Sequence, residues 1–369
     1  MDNTSPPCPT EFDDFLPWAC IQMSVQANVV VQRSYQQEYV SLNKAKRKTI
    51  TKSSAPHTSP STAMTPDDTF ASEDSAIDTE QCIRIKTIYN ANLQLVQIKF
   101  MDNAVIPRQI FKIIELIIPF YKHLTSIVIN RGLYKEAIYD ISQILPICRI
   151  TEICFDNTVL SEANYSELLG QNRLQHLSLA RCKINDAVVR KIAAKLTFPQ
   201  PASKTLSMLN MSSNRITDLG ATYMADVLRT NRQLSYLNLA DNMITDDGAR
   251  AILNTLQDFL LSNEELADVR KQYLTYLKQK KSFETNTKES KRVESDKKLK
   301  RKSIRKKISE KDSSDILQYT VSDSTIDSKL LQFSHPFSSS NIEMRDDRAY
   351  CIGNNALCYL NLAYNQLTY

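Results

Sequence analysis

Apolar residues recur along the middle of the chain in short groups with one fixed spacing. The spacing is L-x-x-L-x-L-x-x-N-x-L, and the copies that begin at Leu234 and Leu357 fit it at every fixed position. Further copies begin at residues 95, 124, 150, 174 and 206. Those at 124 and 150 are degenerate, and Gly132 stands where the first of them should have asparagine. Each group is short enough to be one strand.

A helix-like pattern follows two of these strands. Ala221, Met224, Ala225 and Leu228 fall at i, i+3, i+4 and i+7, and residues 249–256 repeat this spacing. Such spacing predicts one apolar helix face. The pairs Thr217/Asp218 and Thr245/Asp246 precede these faces, so we expect them to cap the helices.

Stacked strand–helix units of this kind predict an α/β leucine-rich-repeat solenoid. The first six copies are spaced 24 to 32 residues apart, which leaves room for an outer helix in each. The first, fourth and sixth positions point inward, and the asparagine at the ninth satisfies backbone groups of the turn. We expect a horseshoe with a parallel concave sheet and outer helices.

The repeats resemble the ribonuclease-inhibitor type of leucine-rich repeat. Segments 173–189 and 207–259, with a basic insertion before a late repeat, resemble the leucine-rich repeat-containing protein 71 family. The resemblance covers roughly 82–285 and 351–369. It implies a non-enzymatic protein associated with motile cilia. That family continues further, so we expect the final repeat here to be truncated.

The pattern divides the chain into four segments. Residues 1–80 are predicted to be largely disordered, most clearly over 51–79. Part of this region, near Phe12–Trp18 and over 25–42, either caps the first repeat or docks a partner. The repeats occupy 81–262, a helix end and basic disordered insertion occupy 263–350, and the truncated final repeat occupies 351–369.

Apolar residues continue at three- and four-residue steps beyond residue 247. They predict one long helix from about 247 to 280. Its later part is either a coiled-coil-like docking helix or a solvated lead into the insertion.

Composition excludes several enzyme classes. The chain has only 5 glycines in 369 residues and no glycine-rich loop of the kind that holds a dinucleotide or nucleotide phosphate. Its 8 cysteines form no C-x-x-C pair and it has only 4 histidines, so we expect no metal site. We also expect no cofactor and no small-molecule substrate. We see no secretory signal and no long apolar run, and predict a soluble intracellular protein without a membrane span.

Charge is concentrated in the insertion. The whole chain carries +5, whereas Arg270–Lys311 has 17 basic and 5 acidic residues, a net +12, which leaves 5 − 12 = −7 elsewhere. Within it, 297–307 supplies eight candidate polyanion-binding residues: Lys297, Lys298, Lys300, Arg301, Lys302, Arg305, Lys306 and Lys307. The run is a solvated loop, a nuclear import signal or a site for a polyanion such as tubulin tails, RNA or an anionic membrane.

The concave strand face is the expected site for a protein partner. Outward positions of the repeats supply the candidate partner-binding residues His176, Met208, Asn210, Tyr236, Asn238 and Tyr359. The sequence therefore predicts a non-enzymatic interaction scaffold in the cytoplasm or axoneme. The alternative is a nuclear or nucleic-acid-associated adaptor driven by the basic insertion.

Overall fold

The computed structural model describes residues 6–36, 82–101, 105–282 and 335–368. The chain divides into two compact units, Met1–Leu160 and Ser161–Tyr369. Each unit is described below by itself. The predicted disorder of 51–79 lies outside the described residues.

Unit 1 begins with a helix and a strand from the N-terminal region. Helix α1 (Phe12–Gln22) buries Phe12 and Leu16, and strand β1 (Asn28–Tyr35) pairs in parallel with β2 (Cys82–Tyr89). The Asp13 carboxylate of α1 accepts hydrogen bonds from Arg33 Nε at 2.6 Å and Thr87 Oγ1 at 2.7 Å. One partly buried carboxylate thus joins the helix to both strands.

The sheet is not parallel throughout, and the prediction of a parallel sheet is wrong at its start. Strand β2 runs antiparallel to β3 (Leu95–Phe100), the first repeat strand. Only residues 90–94 join the two strands, too few for the crossover that parallel strands require. Asn90 Oδ1 holds this turn by accepting hydrogen bonds from the backbone N–H groups of Asn92 and Gln94 at 3.0 and 2.9 Å.

The remaining elements of unit 1 follow the repeat order. Helix α2 (Arg108–Ile117) leads to β4 (Ser126–Ile129), and α3 (Ala137–Ile144) leads to β5 (Glu152–Cys154). Strands β3, β4 and β5 pair in parallel, which confirms the spacing read at residues 95, 124 and 150. The carboxylate of Asp140, buried in α3, accepts two hydrogen bonds from Arg108, and these hold its pKa below the usual range.

Unit 2 carries the most regular repeats. Its elements alternate as β6 (His176–Ser178), α4 (Asp186–Leu196), β7 (Met208–Asn210), α5 (Asp218–Thr230), β8 (Tyr236–Asn238) and α6 (Asp246–Asn254). The predicted inward leucines at 177, 209 and 237 are fully buried. The last repeat strand, β12 (Tyr359–Asn361), pairs in parallel with β8 although it starts 359 − 236 = 123 residues later in the chain.

Asparagine side chains link each turn of unit 2 to the preceding one. Asn214 Oδ1 accepts hydrogen bonds from the backbone of Cys182 and Ile184 at 3.0 and 2.9 Å, and its Nδ2 donates to Leu179 O and Met211 O at 2.9 Å each. Asn242 and Asn365 make equivalent bonds in the next two repeats. The predicted role of the ninth position is confirmed, and it extends across neighbouring repeats.

Aspartates form a second link, along the helix starts. Thr217 has the predicted capping bond from Leu219 N at 3.3 Å, whereas Thr245 makes no side-chain cap bond. Instead the Asp218 carboxylate accepts bonds from Thr245 N at 2.7 Å, Thr245 Oγ1 at 2.6 Å and Gly248 N at 3.1 Å. A Cβ on Gly248 would lie 2.4 Å from Asp218 Oδ1, so this close approach requires glycine.

The prediction of one helix from 247 to 280 is wrong. Helix α6 ends at Asn254, the chain forms strand β9 (Phe259–Leu260), and a new helix, here named the insertion helix, covers residues 263–282. Ser262 Oγ accepts from Glu265 N at 3.1 Å while Glu265 Oε2 accepts from Ser262 N at 2.7 Å. This reciprocal capping box starts the second helix.

The insertion returns to the repeats as a small sheet. Strands β10 (Ile342–Arg345) and β11 (Arg348–Cys351) form an antiparallel sheet with β9. A separate apolar core, here named the insertion core, consists of Phe259, Leu261, Phe337, Ala349 and Cys351. The sheet and the insertion core therefore hold the start and the end of the insertion together, next to the repeat that contains β8.

Candidate functional site

The structure brings the predicted partner-binding residues together in two adjacent columns. Strand pairing places His176 opposite Met208, Met208 opposite Tyr236, and Tyr236 opposite Tyr359. We name these four residues the aromatic column. The same pairing aligns Ser178, Asn210, Asn238 and Asn361, here named the amide column. Because side chains alternate along a strand, both columns lie on the face opposite the buried leucines.

Local hydrogen bonds orient the amide column. The Oδ1 atoms of Asn210, Asn238 and Asn361 accept bonds from the backbone N–H groups two residues on, at 3.2, 3.1 and 3.0 Å. Asn210 Nδ2 donates to Ser178 Oγ at 3.0 Å. With each oxygen engaged in the same way, the three amides form a row whose NH₂ groups each carry two donor hydrogens, one of which Asn210 already gives to Ser178. Such a row suits backbone carbonyls or carboxylates of a bound segment.

Aromatic stacking dominates the other column. The rings of Tyr236 and Tyr359 are stacked with centroids 4.3 Å apart and planes inclined by 2°. Partial burial raises the pKa of Tyr236 above its ordinary value, with a further contribution from Tyr359. Tyr359 is 44% exposed, whereas His176, Met208 and Tyr236 are half-buried. The column therefore presents a large amphipathic contact area with little rotational freedom left to lose.

The corresponding positions in unit 1 are polar. Gln97, Ser126 and Glu152 align across β3, β4 and β5, and Gln97 Nε2 donates to Ser126 Oγ at 2.8 Å. They line a groove of about 640 Å³ with Ser34, Tyr35, Gln36, Lys86, Ile88, Val96 and Thr125. Residues from β1 and β2 were missed as site residues because those strands lie outside the repeat pattern. The sequence signal for β1 is the loose alternation over 25–42, and Cys82–Tyr89 of β2 alternates in a similar way.

The described residues contain no group of three or more His, Cys, Asp or Glu side chains placed to hold a metal ion. Over the same part of the chain, the helices found are too short or too polar to cross a membrane. The eight candidate polyanion-binding residues between Lys297 and Lys307 lie outside the described residues. The site with defined geometry is thus the pair of columns on unit 2.

Comparison with known proteins agrees with this geometry. A family model described as Leucine Rich repeat matches residues 202–225 and 230–253. These matches include strands β7 and β8 and most of helices α5 and α6. A search of curated proteins finds no match to the chain. Residues 202–253 thus contain two matched leucine-rich repeats, and the asparagine links and parallel strands of unit 2 agree with this match.

Proposed function

We propose that the chain is a non-enzymatic scaffold that binds a protein partner through the concave face of a leucine-rich-repeat horseshoe. The single observation that carries the proposal is the alignment of the aromatic and amide columns in unit 2. Leucine-rich repeats are typically interaction modules, and the columns supply what such a module needs. Tyrosine gives contact area at low entropic cost, and oriented amides give directional hydrogen bonds.

The test compares partner capture by three forms of the full chain. Tyr236→Ala with Met208→Ala removes the centre of the aromatic column, and Tyr139→Ala is the matched control on helix α3, where Tyr139 is 53% exposed. We expect partners crosslinked to the wild-type chain in ciliated cells to be lost from the double variant and kept by the control. Equal recovery from all three forms would contradict binding through this face.

We further propose that the scaffold acts in the cytoplasm or axoneme of motile cilia. The support is the resemblance of segments 173–189 and 207–259 to the leucine-rich repeat-containing protein 71 family. We expect a tagged chain to label axonemes, and to do so after deletion of 297–307. This result would make the basic run dispensable for localisation.

The competing proposal is a nuclear or nucleic-acid-associated adaptor. Its support is the net +12 of Arg270–Lys311. It predicts nuclear signal that disappears when 297–307 is deleted, and strongly salt-dependent binding to RNA but not to tubulin tails. That pair of results would replace the ciliary proposal.

A further inference from the structure

The insertion helix presents a second surface that is separate from the two columns. Its first turns are committed to the fold, since Leu266 and Val269 pack against the insertion core. One turn later, Tyr273, Leu274 and Leu277 are 46%, 57% and 40% exposed. Three large apolar side chains at the surface within five residues require an explanation beyond the insertion core.

These apolar residues lie on one face of the helix, between cations. At 100° per residue, Arg270, Leu274, Leu277 and Lys281 fall within an arc of about 60°, with Tyr273 beside them. Lys271 and Lys278 flank this face on one side and Lys280 on the other. The sequence from 269 to 282 contains five basic residues and no acidic residue. The surface is therefore an apolar centre with a positive rim.

The start of the insertion helix is anchored to the repeats. Arg229 of α5 binds the Glu265 carboxylate with both Nε and Nη2, at 3.0 and 2.8 Å. Its guanidinium also lies 4.1 Å from the ring centroid of Phe259 and donates to Leu260 O at 3.2 Å. The start of the insertion helix therefore has a defined position against α5, which fixes the direction of its exposed turns.

We propose that the face formed by Arg270, Tyr273, Leu274, Leu277 and Lys281 docks an acidic amphipathic helix of a partner protein. The apolar residues of the partner helix would cover Leu274, Leu277 and Tyr273, and the carboxylates of the partner helix would contact the positive rim. A helical partner fits because the exposed turns form ridges at three- and four-residue spacing, into which the side chains of a second helix can pack.

The length of the exposed apolar face argues against a lipid surface as the occupant. Its apolar residues span only Tyr273–Leu277, little more than one turn, whereas a helix that lies in a membrane interface buries an apolar face along its length. A partner helix can contact residues 270–281 alone. The dipole of the helix favours basic residues near its end, but it does not account for the exposed leucines.

The test uses full-length protein and fluorescence anisotropy of a labelled designed peptide helix. The probe has leucine at the a and d positions of its heptads and glutamate at e and g; a second probe carries lysine in place of glutamate. We expect saturable binding of the glutamate probe alone. L274S with L277S should weaken it by about tenfold or more, because the charges stay while the apolar anchors are lost.

Three comparisons separate this surface from other sites. Leu253→Ser, at an equally exposed leucine of α6 (47%), should leave binding unchanged, whereas R270E with K281E should weaken it. Tyr236→Ala should not change the affinity for the glutamate probe. The probe therefore tests the insertion helix alone, and a failure of the concave-face proposal would not affect its result. Equal affinity of the wild-type and L274S/L277S chains would overturn the proposal and assign binding to charge alone. Absence of binding, or leucine-dependent binding to phosphatidylserine vesicles instead of the peptide, would overturn it as well.

Discussion

At the scale of single residues, asparagines that look alike in the sequence have different tasks. Asn214 is buried and bonds to backbone groups of two successive turns, whereas Asn210 sits four residues earlier on the exposed face. We expect Asn214→Ala to lower the free energy of unfolding by about 3 kcal/mol, because several buried backbone groups lose their partner. Asn210→Ala, the matched control, should cost less than about 1 kcal/mol.

Urea denaturation of the two variants, analysed with one common m-value, measures both changes in the free energy of unfolding. Similar midpoints for the two variants would show that the repeat turns do not depend on the buried amide.

The aspartate link predicts how stability depends on pH. Hydrogen bonds from the Thr245 side chain, and then from the backbone N–H groups of Thr245 and Gly248, lower the pKa of Asp218 below 3.8. A depressed folded-state pKa gives stability that is present above the unfolded pKa and is lost as pH falls through the folded pKa. We therefore expect Asp218→Asn to be less stable than wild type at neutral pH, with the difference shrinking below about pH 4.

Urea midpoints of both chains between neutral and acid pH check this. Asp247→Asn is the control, since Asp247 is exposed and, within the described part of the chain, pairs with Arg250 three residues on. A pH-independent difference between Asp218→Asn and wild type would contradict the proposed origin of the stability.

At the scale of elements, Arg229 is the joint between a repeat helix and the insertion helix. We expect Arg229→Ala to release the insertion helix, because it removes the Glu265 ion pair and the contact with the Phe259 ring together. Hydrogen exchange of residues 263–282 should become faster, while exchange in α4 and α5 changes little. Arg250→Ala, which removes an exposed pair with Asp247, should alter neither region.

The sequence predicted the repeat elements well because their side chains face one core. Leucine spacing located β6, β7, β8 and β12. Period-two alternation placed the two columns on the face of the sheet opposite the buried leucines. It failed at Asn90, where a short turn reverses the chain, and at Ser262, where a capping box starts a new helix. The apolar spacing across 254–262 continues at helical steps, so only the S-x-x-E signature reveals this break.

The aspartate links were beyond sequence reasoning for a different reason. Asp218 was read as a cap for its own helix, but its carboxylate serves the helix of the following repeat. Local patterns report local partners, and this partner lies 27 residues away in the chain. The glycine at 248 is the residue that records the contact, since a Cβ there would meet the carboxylate.

At the scale of the whole molecule, the N-terminal region contributes structure to unit 1. Helix α1 and strand β1 cover β2, whose Ile83 and Ile85 are almost fully buried. If this segment is a cap, deletion of residues 1–50 should lower the Tm by about 5 °C or more, because apolar surface and a strand edge become exposed. Differential scanning calorimetry measures the change, with Ile21→Ser as the control at a residue that is 74% exposed.

An unchanged Tm with loss of a binding partner would instead favour the docking-motif alternative for this region.

The pairing of β8 with β12 has a consequence for how the chain is made. Closing so long a loop costs only about 1 kcal/mol more than closing a repeat of ordinary length, since the entropy grows with the logarithm of length. The delay during synthesis matters more than this entropy cost. At about 5–20 residues per second, a ribosome needs on the order of ten seconds to synthesise the insertion, and β8 lacks its next strand throughout. A chaperone that shields strand edges would find its longest opportunity at this point of translation.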